Sequence, residues 1–438
     1  MQSYFVVSAE SYKSIIVFKT MTYLLFAFQL GIIVLIIRYL SFFQQASLSL
    51  FERLVFFGIK VLFGFLLIAV YTQFYPQRNL ADVFKYFDDA NIIFQNAQTD
   101  SLSLIHFITG IGFERNSPES NTLLQYTHHI DKKGAGLLEA NHLLIIRLHL
   151  LLRYISNGSI YIHSLWFSFF SFTGCVALYR KFVPFFEKRK WLLKVPLFLL
   201  PSLLFWGSGL LKESIVLLCV GGIIYQLDFD CLKNWRYSKI AIVLLFSTLL
   251  WFIKPYIALS FGIAYLFTYL YPSRFKWLLV ILPISFILFG NTIANSLIAK
   301  RNEYTRLAIS VNAGSILDTT LYKEEGMLGL AKLSPSFFKA LLLSPLSYSP
   351  TQKSEIPFSI ENLLFLILLL YLSVNAFSKK ITLPKTMVFI IIFALLQLIV
   401  IGFSIPVVGA IVRYKITAMP FLWISVVYTI NLIIYKCE

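Results

Sequence analysis

Charged side chains are scarce in this chain. Only 13% of its 438 residues are Asp, Glu, Lys or Arg, whereas a soluble domain carries about a quarter. With 58% hydrophobic residues and a mean hydropathy of +0.76, the deficit excludes a water-soluble globular fold. Acids are scarcer than bases, 21 against 38, so the formal charge is +17. In a soluble chain that excess would suggest nucleic acid. In an apolar one it belongs to cytoplasmic loops and to anionic lipid or phosphate partners, and no nucleic-acid partner is expected. Cysteine is rare: Cys175, Cys219, Cys231 and Cys437 are scattered without CxxC spacing, which excludes a zinc knuckle or a disulfide framework. The first apolar run lacks a cleavable signal pattern and reads as a retained membrane helix.

What is abundant is apolar length and aromatic rings. The chain has 43 Phe, 24 Tyr and 7 Trp, suited to membrane interfaces and to sugar or lipid contact. A crossing helix needs about 20 apolar residues. Runs at 20–40, 54–75, 159–179, 195–211, 213–227, 239–253, 256–271, 276–297, 357–378, 384–403 and 411–434 meet or approach that length. The expected fold is all-α: one integral membrane domain over 1–438, with about 11 transmembrane helices. Its expected location is the inner (plasma) membrane, multi-pass. The basic stretches 180-RKFVPFFEKRKWLLK-194 and 233-KNWRYSK-239, Arg274 with Lys276, and Lys379, Lys380 and Lys385 belong in the cytoplasm. They agree with one another if each run crosses once. Two sizeable extracytoplasmic loops follow, 76–158 and 298–356, and a short outer turn at 403–412.

Within this greasy context 204-LFWGSGLLKESIVLL-218 sets Lys212 beside Glu213 after two glycines. The segment 195–227 is long enough for two short crossings with an outer turn at Gly207-Ser208-Gly209. The pair 239–253 and 256–271 repeats this, turning at 253-IKPY-256. Runs this short put their turns low in the outer leaflet, where bare backbone is tolerated only inside protein or beside water. Lys212, Glu213 and Lys254 are therefore expected to line an outward-facing hollow, since ionisable groups at such depth are functional by default. A buried Lys–Glu pair that only pins two helices is the plainer alternative.

The first outer loop opens with 76-PQRNLADVFKYFDDANIIF-94. Asp82, Tyr86, Asp89 and Asn91 are placed to share a helical face, and Asp82, Asp88 and Asp89 lie within eight residues. These carboxylates suit a general base with helpers. Their oxygens are also compatible with a divalent cation as cofactor; no metal ligands are assigned. All six histidines fall between His106 and His163. In 138-LEANHLLIIRLHLLLRYIS-156, His142, His149 and Arg153 recur near helical spacing opposite a leucine face, the pattern of an amphipathic helix lying on the membrane. In the second loop, Arg301 and Arg306 are candidate phosphate contacts. In 402-GFSIPVVGAIVRYKITAMPF-421, Arg413 and Lys415 begin the last crossing from outside, against the positive-inside bias. The planar fork of arginine matches phosphate oxygens. One topology thus puts Asp82, Asp88, Asp89, Lys212, Glu213, Lys254, Arg413 and Lys415 at one face. A base beside several cations is what transfer from a phosphate-linked donor requires.

The arrangement resembles the GT-C superfamily of membrane glycosyltransferases. Their pattern has an Asp, usually then Glu, with Tyr four and Ala eight positions on. In 82-DVFKYFDDA-90, Asp82, Tyr86 and Ala90 keep that register, while Val83 stands where the second acid is expected. The stretches 201-PSLLFWGSGLLKES-214 and 408-VGAIVRYK-415 are similar to those of bacterial membrane proteins associated with surface polysaccharide. The resemblance implies a polyprenyl-phosphate sugar donor and a glycan or lipid-linked acceptor, met among membrane lipids. Asp82 would be the base, with Lys212, Lys254, Arg413, Lys415 and Arg301 toward phosphate, Tyr86 toward substrate, and Glu213 orienting Lys212. A polysaccharide polymerase or ligase is the first alternative and a lipid-linked sugar flippase the second.

Overall fold

Leucine, isoleucine, valine and phenylalanine in runs with few breakers form helices wherever their backbone polar groups cannot reach water. The computed structural model follows that rule. It describes residues 9–74, 78, 81–98, 100–114, 117–128, 130, 140–186, 188–227, 237–270, 275–310, 313, 315–340, 356–376 and 383–435. Among the described residues there are helices and turns but no strand, only the isolated bridge between Ile316 and Val407. Among the described residues four helical stretches are long and apolar enough to cross a bilayer: Lys19–Tyr39, Leu50–Gln73, Ile160–Phe186 and Lys385–Ser404. A bent pair, Val408–Lys415 and Met419–Ile434, makes a fifth. Tyr237–Ile253, Pro255–Leu270 and Ile356–Leu372 are shorter apolar helices. The chain is a helical membrane protein. The first helix exposes Tyr23, Leu24, Phe28 and Leu35, an outward apolar face whose natural solvent is lipid.

The chain divides into two compact units, residues 1–173 with 208–215, and residues 174–207 with 216–438. In the first, a ring cluster of Phe43, Phe57, Phe169 and Phe172 fills the core; Phe43 and Phe172 stack at 5.9 Å. Buried beside it is Lys60, whose Nζ donates to Ser171 Oγ at 2.8 Å. The first long loop is largely helical: Asp82–Asn96, Ser101–Thr109, Pro118–Leu123 and Ala140–Ser156. Asp100 caps the second of these by accepting from the Ser103 backbone N–H, and Ser117 caps the third through Ser120, as such side chains do at helix starts.

The turn at Gly207–Leu211 forms where the sequence calls for one, before helix Lys212–Gln226. Gly209 has φ +74, and a Cβ there would meet the Gly64 backbone at 3.3 Å, so both conformation and space require glycine. Its N–H donates to Ser168 Oγ at 3.3 Å. In the second unit Gly174 and Gly221 let helices Ile160–Phe182 and Lys212–Gln226 touch backbone to backbone. Small residues at such crossings are how apolar helices pack without a hydrophobic driving force between them.

Three spans differ from the sequence expectation. The run 195–211 is not one helix: a π turn at Val195–Leu199 and a short helix Pro201–Trp206 precede the turn, because Pro196 and Pro201 donate no N–H to a helical ladder. The run 276–297 continues to Ser310 as helix Phe275–Ser310. No breaker follows 297, and Leu, Ala, Lys, Arg and Glu all sustain a helix; Lys300, Arg301 and Arg306 are thus helical, not loop, residues. The last span bends by 57° between Lys415 and Met419, just before Pro420. The segments 315–317 and 406–408 pair: Leu317 N–H donates to Pro406 O at 2.8 Å and Val408 N–H to Ser315 O at 2.9 Å.

Candidate functional site

In the first unit, helix Asp82–Asn96 packs against helix Ala140–Ser156. Helical spacing turns Tyr86 inward, where it is 4% exposed. Its hydroxyl lies 3.0 Å from His142 Nδ1, and the two rings stack with centroids 5.5 Å apart. Lys212, at the start of its helix, brings Nζ to 3.2 Å from the same His142 Nδ1 and to 5.1 Å above the Tyr86 ring. An ammonium only donates, so this contact leaves His142 Nδ1 as acceptor with its proton on Nε2. A phenol, an imidazole and an ammonium share one nitrogen lone pair. Such a group can hand protons among its members and stabilise an anion placed beside them. Glu213 is 1% exposed and sits next along the chain in the same unit.

The three acids of the opening motif go different ways. Asp82 begins the helix, and its side chain lies outside the described residues. Asp88 takes a bidentate bond from Arg78, 2.7 Å to Nε and 3.0 Å to Nη2, at a solvent-facing position. Asp89 is fully buried and accepts the His128 backbone N–H at 3.0 Å, a clamp on the following loop. His129 and the segment 343–350 also lie outside the described residues. Among the described residues no three His, Cys, Asp or Glu side chains gather as a metal-binding group.

The amphipathic helix is present as Ala140–Ser156, but its histidines point inward. His149 is fully buried, its Nδ1 2.8 Å from His163 Nδ1, and it stacks on Phe167 at 4.7 Å. His163 Nε2 lies 2.7 Å from Ser156 Oγ. An imidazole is flat and apolar on both faces, so aromatic neighbours can bury it. In place of the polar face expected of a helix lying on the membrane, His149 and His163 form a hydrogen-bonded interior chain with Ser156. The alternating pattern of the helix had concealed it.

The second unit gathers Lys254, Arg301, Arg413 and Lys415 around the corner 405–415. Lys254 breaks two helices, Tyr237–Ile253 and Pro255–Leu270, and places Nζ 4.3 Å from the centroid of Tyr414. The Arg413 guanidinium stands 5.0 Å from that ring. Tyr414 in turn packs on the buried cluster of Ala340, Ile401, Ile405 and Ile411. Arg301 is fully buried and donates from Nη1 to the Ile405 carbonyl at 2.6 Å. Lys415 is 5% exposed and is drawn electrostatically to Glu361. Glu361, which the apolar run around it had hidden, accepts from the backbone N–H and the hydroxyl of Ser202 at 2.8 and 2.7 Å.

Comparison of the chain with protein-family models, with curated proteins and with solved structures finds no match in any of the three. Geometry and chemistry alone therefore carry the functional argument.

Over the Arg301 corner lies the strap 315–322. Asp318 holds it: Thr320 N–H donates to Oδ1 at 2.9 Å, and the Tyr322 and Ser336 hydroxyls donate to Oδ2 at 2.7 and 2.9 Å. Burial pushes the Asp318 carboxyl up, but these donors outweigh it and hold its pKa at about 2. A carboxylate so satisfied is a poor base and a good clamp. Asn302 completes the fastening, exchanging hydrogen bonds with the Tyr322 backbone at 2.8 and 3.0 Å.

Proposed function

We propose that this protein is a GT-C-like glycosyltransferase of the inner membrane. It would act at the extracytoplasmic face on a polyprenyl-phosphate-linked sugar and deliver it to a glycan or lipid-linked acceptor in surface polysaccharide assembly. The carrying observation is the meeting of Tyr86, His142 and Lys212, which brings the first long loop and the 204–218 motif into one polar group. Eleven crossings, with 76–158 and 298–356 outside, are the topology this reading uses.

The reaction forms a bond from an acceptor oxygen to the anomeric carbon and breaks the bond from that carbon to the donor phosphate oxygen. The acceptor proton passes to a carboxylate, assigned to Asp82, and the phosphate leaves with the bonding electron pair. Lys212 would stabilise the charge that develops on the departing oxygen, and Tyr86 and His142 would fix the ammonium in place. Lys254 and Arg413 would hold the phosphate of the carrier. Glu213, adjacent to Lys212 and buried, would set its orientation.

The test is restoration of a surface glycan in a host deleted for the gene, with variants matched for membrane abundance. Wild type is expected to restore a missing glycan, and Asp82→Asn and Lys212→Ala to fail. Full restoration by both variants would overturn the assignment.

A further inference from the structure

A guanidinium binds oxoanions best along one edge, where Nε–H and one Nη–H point the same way. In Arg301 that edge, Nε and Nη2, is buried and meets no hydrogen-bond acceptor among the described residues. The remaining nitrogen, Nη1, donates to the Ile405 carbonyl. The side chain is thus anchored by one end, and its fork is unmet. Buried donors find partners as a rule, so an unmet fork in a corner otherwise satisfied points to a partner from outside the chain.

The groups around the fork are committed elsewhere. The Thr305 hydroxyl donates to the Arg301 carbonyl at 2.9 Å. Asp318 is near enough to attract Arg301 electrostatically, yet the donors it takes are the Thr320 N–H and the Tyr322 and Ser336 hydroxyls. Asp318 therefore holds the strap 315–322 instead of the arginine. The strap is tied at both ends, by the pairing of 315–317 with 406–408 and by Asn302 on the Tyr322 backbone. Whatever completes the fork must meet two nitrogens, tolerate a carboxylate nearby and fit beneath a roof fastened on two sides.

We infer that the Arg301 fork takes a carboxylate and, resting on the reading above, that the glycan this protein handles contains an acidic sugar. Three features select that group. A carboxylate presents two oxygens to the two unmet nitrogens, as parallel N–H···O bonds. A phosphate monoester brings a third charged oxygen, for which the hydroxyls of Thr305, Tyr322 and Ser336, each already given to another acceptor, offer no donor. A carboxylate also carries a single charge, whereas the second charge of a monoester would face Asp318. Finally, it is flat, with one stem in the plane of the fork; a phosphodiester sends two ester arms out of that plane, against the strap. The inference moves Arg301 from the phosphate, where the sequence placed it, to the sugar. Entry requires the strap to lift, and Asp318 is its latch.

The test is a ligand-observed NMR titration of the purified full chain in lipid nanodiscs, with glucuronate, glucose, acetate and dimethyl phosphate as probes. Wild type is expected to bind glucuronate but not glucose, and to bind dimethyl phosphate at least about tenfold more weakly than glucuronate. Arg301→Lys, which keeps the charge and removes the fork, is expected to lose at least about tenfold in glucuronate affinity. Asp318→Asn, which keeps the fork and loosens its roof, is expected to retain glucuronate binding and to exchange it faster. Acetate binding weaker than glucuronate would identify the acidic sugar as the source; equal binding would identify a bare carboxylate and remove the sugar. Dimethyl phosphate binding as tightly as glucuronate overturns the inference with no variant needed. So does binding of none of the probes, or an affinity that falls in both variants or in neither. If glucuronate binds as expected while Asp82→Asn and Lys212→Ala still restore the glycan, the transfer chemistry is wrong and the carboxylate site stands. If glucuronate does not bind while those variants lose the glycan, only the carboxylate is wrong.

Discussion

Gly174 is the residue whose replacement tests the packing of the second unit most sharply. A Cβ on Gly174 would lie 2.5 Å from the Leu217 carbonyl carbon and 2.8 Å from the Leu218 nitrogen, where ordinary contact begins at 3.4 Å. The Leu217 carbonyl oxygen is nearer still, so the shortfall is at least 3.4 minus 2.5, about 0.9 Å, and all three neighbours are backbone, so no side chain can swing away. The helices must part by roughly that distance, and a gap of about 0.5–1 Å already forfeits a quarter to a half of each neighbouring dispersion contact. Overpacking of this kind costs about 1–3 kcal/mol, and rigid backbone places Gly174→Ala at the upper end. The better helix propensity of alanine returns about 0.5–1 kcal/mol, so the net loss is about 2 kcal/mol. Gly262 is the control: it lies within helix Pro255–Leu270 and a Cβ there meets nothing within 4 Å. Gly262→Ala is expected to be neutral or stabilising by up to about 1 kcal/mol. Thermal unfolding in one detergent, followed by the fraction that stays monodisperse, ranks the three proteins. Gly174→Ala matching or exceeding wild type would refute the backbone contact.

Three further outcomes are expected. Asp318 has a folded pKa of about 2 against 3.8 for the free carboxyl, so its contribution to stability is complete above pH 3.8 and is lost as pH falls toward 2. Asp318→Asn should flatten that part of an acid-unfolding curve, and an unchanged curve would remove the clamp. Removing the Glu361 carboxylate strands Ser202 and Lys415 in the interior; Glu361→Leu should cost about 3–5 kcal/mol, and Glu361→Gln less, in the same unfolding assay. Lys212→Met should lower the transfer rate by about two orders of magnitude or more, while Lys212→Arg, retaining the cation, should keep part of it; equal rates for both would show that charge at this position is irrelevant.

Much of this was legible in the sequence because apolar length and breakers are local. The turn at Gly207–Gly209 and the break at Lys254 both fall where glycine and proline interrupt short runs. Tyr86 and Asp89 take the helical register their spacing implies. What stayed hidden depends on partners far along the chain. His142 and Lys212 are 70 residues apart, and nothing near either announces the other. His149 looked like the polar side of a surface helix because burial of an imidazole depends on Phe87 and Phe167, which no periodicity of its own helix reveals. Arg301 was assigned to a loop because its neighbours turn polar, whereas helix propensity continues unbroken through them. Glu361 drew no notice in its oily run; the Ser202 donors, 159 residues away, give it a role.

The short pairing of 315–317 with 406–408 constrains how the chain is threaded. Segments joined by backbone hydrogen bonds lie on one side of a bilayer, so the chain between them crosses an even number of times. In the topology proposed above, helices Ile356–Ala376 and Lys385–Ser404 are the two crossings. Helix Gly326–Phe338 cannot then cross alone, despite its apolar residues, and must lie along the surface or return to its own side. The same parity sets Arg301 and the Ile405 carbonyl in one compartment, and Lys254 with Tyr414. A membrane-impermeant label on single cysteines at 318 and 254 would therefore react from the same side, whichever side that is.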